Sequence, residues 1–131
     1  GDCVIDQYGH LIGVVTEADP NSSLVTTILD PTLELGGRVA RTDEDAILEG
    51  DFSLMLEGLL RLSFLSEEAQ LVTGDQVTTS GLGGRYPAGL AVGTVRTLYV
   101  EEDGVSRYAQ VEPAADINGV RYVYVIVDYG K

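Results

Sequence analysis

Residues 79–93 read TSGLGGRYPAGLAVG, a glycine-rich connector between two segments of strand-forming composition. Such a connector can cradle a phosphate, but a dinucleotide-binding loop needs a third glycine where Tyr86 stands and a helix after it. A P-loop needs Gly-Lys-Ser/Thr, and this stretch has no lysine. We therefore predict a structural loop, in which glycines adopt positive φ, Pro87 stiffens the backbone and Tyr86 covers the core. The residues expected to shape it are Thr79, Ser80, Gly81, Gly83, Gly84, Tyr86, Pro87, Gly89 and Gly93.

Short runs rich in β-branched and aromatic residues lie on both sides of the connector, each bounded by turn residues. There are about ten such runs, and no amphipathic helix of 10–15 residues separates them. This pattern predicts an all-β barrel or sandwich. The last run, 120–127, is apolar on both faces, which predicts a strand that is sandwiched or central. Residues 66–69 predict one helical turn, because an N-cap serine precedes two acids.

Two neighbouring segments, 52–57 and 60–64, alternate between large apolar residues and smaller or polar ones. Period two is typical of a strand with one buried face. We therefore predict a strand in each segment, with the large apolar side chains pointing into the core. These side chains are Phe52, Leu54 and Leu56 in the first segment and Leu60, Leu62 and Phe64 in the second.

Composition limits the classes of partner. The chain has 131 residues and a net charge of −13, from 21 acidic and 8 basic residues. That balance argues against binding to nucleic acid or to an anionic membrane surface, because both need a basic footprint. No apolar run approaches the ~20 residues of a membrane-spanning helix. Cys3 is the only cysteine, so it forms no internal disulfide and no thiolate zinc site.

A trypsin-like serine hydrolase is the alternative. Ser80, His10 and Asp30 occur in the chain order of such a triad. Against it, His10 is the only histidine and sits beside Gly9 in a predicted hairpin, and Asp30 precedes Pro31 in an ordinary turn. The chain is also short for two complete barrels with a cleft between them. Geometry decides a triad, and order alone does not.

Two acidic runs, 43–45 and 101–103, could offer oxygen ligands to Ca²⁺. Neither has the ligand spacing of an EF-hand, and both fall in predicted hairpin turns, where solvated charge is the simpler interpretation. We therefore expect no metal and no cofactor. Four tyrosines near loops or strand ends fit either an interface or simple strand formation. They are Tyr86, Tyr99, Tyr108 and Tyr129.

The order of motifs resembles that of the MreC family of bacterial rod shape-determining proteins. The connector at 79–93 is similar to the family's glycine-rich hallmark, and 72–77 resembles the approach to it. Pro20–Ser23, Thr27–Asp30 and Pro113–Asp116 also match in order. Ala91 departs from the family, which often has proline there.

The resemblance implies two small β-barrel-like lobes packed together, remotely like chymotrypsin-type barrels but without protease activity. We expect one domain over 1–131, with one lobe at about 36–72 and the other formed by 1–35 and 73–131. In the full-length protein, the resemblance implies a transmembrane helix and a coiled coil, neither of which is found in these 131 residues.

The resemblance also implies a role. It implies a non-catalytic scaffold of cell-wall elongation at the outer face of the cytoplasmic membrane, with no small-molecule substrate. The implied partners are further copies of itself (as a dimer or filament), MreD, the elongation transpeptidase (a penicillin-binding protein), RodA and, indirectly, MreB.

Overall fold

A computed structural model describes residues 2–66, 69–82, 84–100, 104, 106–117, 119 and 123–126, and it confirms the all-β class. The strands are β1 (Cys3–Asp6), β2 (Leu11–Asp19), β3 (Ser22–Thr27), β4 (Glu34–Val39), β5 (Glu44–Glu49), β6 (Leu60–Leu65), β7 (Gln76–Thr79), β8 (Ala91–Val100), β9 (Arg107–Pro113) and β10 (Val123–Ile126). A short helix, α1 (Phe52–Leu56), precedes β6. The helical turn expected at 66–69 includes residues outside the described part. Within that part, no helix has the length and apolarity to span a bilayer.

The strands form a closed barrel and a four-stranded sheet. The barrel runs β4-β5-β6-β9-β8-β7, and pairing of β4 with β7, with Gly37 opposite Thr79, closes it. The sheet runs β10-β1-β2-β3. This pairing divides the chain differently from the expected lobes. Strands β7, β8 and β9 lie after residue 73 but complete the barrel begun by β4–β6, because β4 finds its second neighbour in β7.

One hydrophobic core joins the barrel to the sheet. Inward-facing residues such as Val39, Leu48, Leu62 and Val111 are completely buried, and Cys3 of the sheet belongs to the same cluster. Burial raises the pKa of the Cys3 thiol to about 11, because the thiolate would lose its hydration.

Strand β10 lies at one end of the sheet and is exposed, so the prediction of a sandwiched or central strand was wrong. Its partner is β1, with Cys3 opposite Ile126. Val123, Tyr124 and Val125 are all exposed. An apolar pattern on both faces predicted burial, but only one neighbouring strand covers this segment among the described residues.

The segment 52–57, which was predicted to be a strand, instead contains helix α1. Asp51 caps it, since its Oδ1 accepts a hydrogen bond from the Leu54 amide at 3.1 Å. The helix buries Leu54 and leaves Phe52 and Leu56 exposed. Over five residues the period-two pattern also fits one helical turn, and the cap decides between them.

Phe64 is exposed, although alternation predicted it in the core. Leu62 pairs with Ala109 and Leu65 pairs with Arg107, so two residues of β6, Ser63 and Phe64, lie between these pairs against one residue of β9. This is a β-bulge, which shifts the alternation by one residue. Leu65 is therefore buried, and the Phe64 side chain is 75% exposed on a backbone with φ of +62°.

The segment between β6 and β7 is fixed by Arg41 and Asp75. The Arg41 guanidinium donates to both carboxylate oxygens of Asp75, at 2.8 and 3.0 Å, and to the Gln70 carbonyl at 2.6 Å. The Asp75 carboxylate also accepts the Val72 amide at 2.9 Å. These hydrogen bonds, led by the one from Arg41, hold the pKa of Asp75 below its usual value.

Candidate functional site

Thr79, at the end of β7, closes the glycine-rich connector on itself. Its buried hydroxyl donates to the Pro87 carbonyl at 2.6 Å and accepts from the Leu90 amide at 3.0 Å. Its backbone amide donates to the Leu90 carbonyl at 2.9 Å, and its carbonyl accepts from Gly89 at 2.8 Å. Four hydrogen bonds at one residue thus tie the start of the loop to its end.

Ser80 is buried and committed to the loop. Its amide donates to the Gly36 carbonyl of β4 at 3.1 Å, and its Oγ accepts from the Leu82 amide at 3.2 Å. A Cβ at Gly36 would overlap Ser80 Oγ. The glycine of β4 therefore makes the room in which the serine side chain lies.

At two positions of the connector, neighbouring atoms leave no room for a side chain larger than that of glycine. Gly81 has φ of +73°, and a Cβ there would lie 2.7 Å from Ala88 Cβ. Gly93 has ordinary φ, but a Cβ would overlap the Glu112 carbonyl of the paired strand β9. Gly84 and Gly89 also have positive φ, whereas Gly83 lies outside the described residues.

Tyr86 is half-buried and packs against the main core cluster. The Arg85 guanidinium carbon lies 5.4 Å from the centroid of its ring. Both side chains line a groove of about 410 Å³, whose other walls come from β2, β3 and the turn before β4. Its polar groups include Thr26, Thr32 and Glu34. The connector therefore borders an open groove between sheet and barrel.

The residues of the suggested triad each have other partners. His10 Nδ1 lies 3.3 Å from Asp6 Oδ2, and Asp6 also accepts the His10 amide at 2.9 Å. Asp30 accepts from the amide and hydroxyl of Thr32, which lowers its pKa. No hydrogen bond in the described part of the chain joins Ser80, His10 and Asp30. The structure thus does not assemble a hydrolase site from them.

Two acidic side chains of the run at 43–45 make separate contacts within the fold. Asp45 pairs with Arg38 at 2.9 Å, and Glu44 accepts the Gln70 amide at 3.1 Å. The described residues contain no group of three or more histidine, cysteine, aspartate or glutamate side chains placed to hold a metal ion. The run at 101–103 lies outside the described residues.

Exposed apolar side chains near the barrel are a feature that the sequence patterns missed. Phe52 and Leu56 of α1 are 65% and 73% exposed, and Phe64 of the bulge is 75% exposed. Asp51 is a typical N-cap residue, and it is the feature of the sequence that could have predicted the helix. The bulge depends on pairing between β6 and β9, which lie far apart in sequence, so no local signal reveals Phe64.

Residues 1–127 match the family model of the rod shape-determining protein MreC, barrel core. The cell shape-determining protein MreC of Bacillus subtilis strain 168 is 40% identical, over 94% of this chain and 45% of its own length. The chain spans between 23% and 45% of the length of the curated relatives that it matches.

The solved structures most useful for comparison are also MreC proteins. The crystal structure of MreC from Pseudomonas aeruginosa has a TM-score of 0.86 at 29% identity, covering 96% of this chain and 79% of that one. MreC in a complex with the penicillin-binding protein PBP2 from Helicobacter pylori has a TM-score of 0.76 at 19% identity, covering 94% and 74%. The major periplasmic domain of the cell shape-determining filament MreC has 0.69 at 25% identity, covering 87% and 69%.

Proposed function

This chain belongs to the MreC family of rod shape-determining proteins, and on that premise we propose that it is the β-domain of a non-catalytic scaffold for cell-wall elongation. The observation that carries the non-catalytic part is the environment of Ser80. The sequence of the connector resembles that of a catalytic or binding loop. However, Ser80 is only 5% exposed, and its Oγ accepts a hydrogen bond from the Leu82 amide within the loop. A nucleophile needs an adjacent base, and the only histidine pairs with Asp6.

We propose that the domain binds the elongation penicillin-binding protein and further copies of itself. The Helicobacter pylori complex and the filament-forming relative support these two partners by analogy. Exposed apolar residues on the bulge of β6 and on β10 give the domain surfaces of the kind that interfaces use. MreD, RodA and, through the membrane, MreB complete the proposed set of partners.

The proposed location is the outer face of the cytoplasmic membrane. It rests on the family and on the relative that is described as a periplasmic domain. The net charge of −13 fits a domain held near the membrane by other segments better than one that adheres to anionic lipid by itself.

A fluorophosphonate probe tests the non-catalytic half of the proposal. We expect no labelling of the native chain, and the same background for Ser80→Ala. Labelling that disappears in Ser80→Ala would establish the hydrolase alternative instead.

Binding and sedimentation test the scaffold half. The chain is immobilised and titrated with the ectodomain of the elongation penicillin-binding protein from the same genome, and its sedimentation is measured over a range of concentrations. We expect saturable binding and concentration-dependent association. A chain that stays monomeric and does not bind the ectodomain would refute the scaffold proposal.

A further inference from the structure

We infer that Phe64 and Arg107 form a docking site for a partner-protein segment that carries a carboxylate beside a large apolar side chain. The inference rests on the proposed scaffold function and deepens it, because it assigns a surface to the penicillin-binding partner. Four observations support the site: a bulge that displays Phe64, a groove beside it, a cation that has no ion pair among the described residues, and a stacked pair of tyrosines on the adjoining strands.

The bulge in β6 presents a phenylalanine that regular pairing would bury. Phe64 is 75% exposed, whereas Leu65, the next residue, is 6% exposed and takes the inward place. The backbone of Phe64 has φ of +62°, a conformation that bulky residues rarely adopt. Strained, exposed residues of this kind concentrate at binding sites, since surrounding structure must maintain them.

A groove of about 330 Å³ lies beside Phe64, with Leu65 and Arg107 in its lining. Among the described residues that line it, the one carboxylate is that of Glu49, which lies 3.9 Å from the Arg61 guanidinium. Two of the chain's 8 basic residues therefore meet in one groove of a protein that carries 21 acidic ones. The groove is a basic spot on an acidic surface, so charge complementarity favours an acidic occupant.

Arg107 is the cation available to that occupant. Arg61 is already engaged, since its guanidinium donates to Ser63 Oγ at 2.6 Å and lies 4.0 Å from the centroid of the Tyr108 ring. Arg107 is half-buried and has no ion pair with any described residue. A guanidinium offers two parallel donors to a carboxylate, which makes it a specific anchor.

Aromatic stacking braces the strands beside the groove. The rings of Tyr99 and Tyr108 stack with centroids 5.2 Å apart, and Arg61 covers Tyr108. This stack runs across β8, β9 and β6 next to the bulge. Stacking that braces the strands beside the groove lowers the entropy lost on binding, so a short segment of a partner can bind with useful affinity.

A partner protein is favoured over a second copy of the chain. Two copies each carry a net charge of −13 and repel one another at long range. Nucleic acid and anionic lipid are disfavoured because both are negatively charged and the chain carries a net charge of −13. A segment with an aliphatic or aromatic side chain next to Asp or Glu satisfies both the ring and Arg107.

The test compares two groove variants with two matched controls. Phe64→Asn removes the ring while suiting the left-handed backbone, and Arg107→Glu reverses the charge. Phe52→Asn removes a similarly exposed ring from α1, and Arg96→Glu makes the same charge change at an exposed arginine outside the groove. Binding of the penicillin-binding protein ectodomain and thermal melting are measured for all four.

We expect Phe64→Asn and Arg107→Glu each to weaken binding about tenfold or more, as for buried anchors of an interface. The controls should stay within about twofold of the native chain. The melting temperature of Phe64→Asn should not fall, because the ring makes little contact and its backbone strain is relieved.

Native affinity in both groove variants would overturn the site while leaving the scaffold function intact. So would an equal loss in the controls. Sedimentation of the same variants tests whether a second copy of the chain occupies the groove. If the groove variants lose self-association but still bind the ectodomain, a second copy fills the groove and the inference is wrong. If the native chain does not bind the ectodomain at all, the proposed partner itself fails.

Discussion

Arg41 and Asp75 lie 34 residues apart and are joined by two parallel hydrogen bonds, from Nε to Oδ1 at 2.8 Å and from Nη2 to Oδ2 at 3.0 Å. The pair connects the end of β4 to the turn before β7, the two strands whose pairing closes the barrel. Because Asp75 is 7% exposed and Arg41 is largely exposed, the carboxylate is the member that the fold encloses.

Asp75→Ala should lower the free energy of unfolding by about 2 kcal/mol, since it removes charge-assisted bonds to Arg41 and leaves the Val72 amide without its acceptor. Asp45→Ala is the control, because it breaks an arginine pair whose side chains are 35% and 43% exposed, at a cost below about 1 kcal/mol. Urea denaturation measures both. Equal costs would mean that Asp75 acts as a surface charge.

The Arg41–Asp75 pair also predicts how the free energy of unfolding depends on pH under acidic conditions. The pKa of Asp75 is lower in the folded chain than its usual value of 3.8, so its contribution to stability is complete above that value and is lost as the pH falls through the folded pKa. The difference in unfolding free energy between the native chain and Asp75→Asn should therefore stay constant from about pH 7 to 5 and shrink below about pH 4. A constant difference down to pH 3 would contradict the assignment.

Gly36→Ala should cost about 1–2 kcal/mol of stability, because the new Cβ overlaps Ser80 Oγ. The same substitution in a Ser80→Ala background should cost less than about 0.5 kcal/mol, since Ser80 Cβ would lie at an ordinary 3.6 Å. The double-mutant cycle is read by chemical denaturation. Additive effects would show that the two residues do not share this space.

Gly81 and Gly84 both have φ of +73°, but only Gly81 has a close neighbour. Gly84→Ala should therefore cost about 1 kcal/mol, the price of a left-handed backbone alone. Gly81→Ala should cost at least about 1 kcal/mol more, because its Cβ meets Ala88. Ala88→Gly should recover part of that difference. Equal melting temperatures for the two alanine variants would exclude a tight contact in the loop.

The Cys3 thiol should be inert in the folded chain. It is completely buried, and a pKa of about 11 leaves about one thiolate in a thousand at pH 8. Iodoacetamide should label it only as fast as the chain unfolds, and readily in urea. Rapid labelling under native conditions, followed by mass spectrometry, would contradict its place in the core.

The all-β class followed from local patterns because short alternating runs and turn residues are local properties of the sequence. Barrel closure did not follow. It depends on β7 returning to β4, a pairing between distant segments, and so the expected division at residue 73 cut through the barrel. The prediction that Phe64 is buried was wrong for a related reason, because the bulge arises from the register between β6 and β9.

The connector itself was recognisable because its glycines are close in sequence. The sequence of the connector did not reveal the hydrogen bonds at Thr79. It also did not reveal the space that Gly36, on another strand, leaves for Ser80. The surface at Phe64 and Arg107 was equally hidden, because Arg107 belongs to a strand more than 40 residues further along the chain.

The pairing of β1 with β10 governs the order in which this chain completes its fold. Cys3 lies opposite Ile126, so synthesis from the N-terminus must pass β9 and reach β10 before β1 gains its second neighbour. The barrel needs nothing beyond β9 and can close earlier. During biogenesis, the barrel is thus expected to form as an early nucleus, with the sheet as a late and rate-limiting seal.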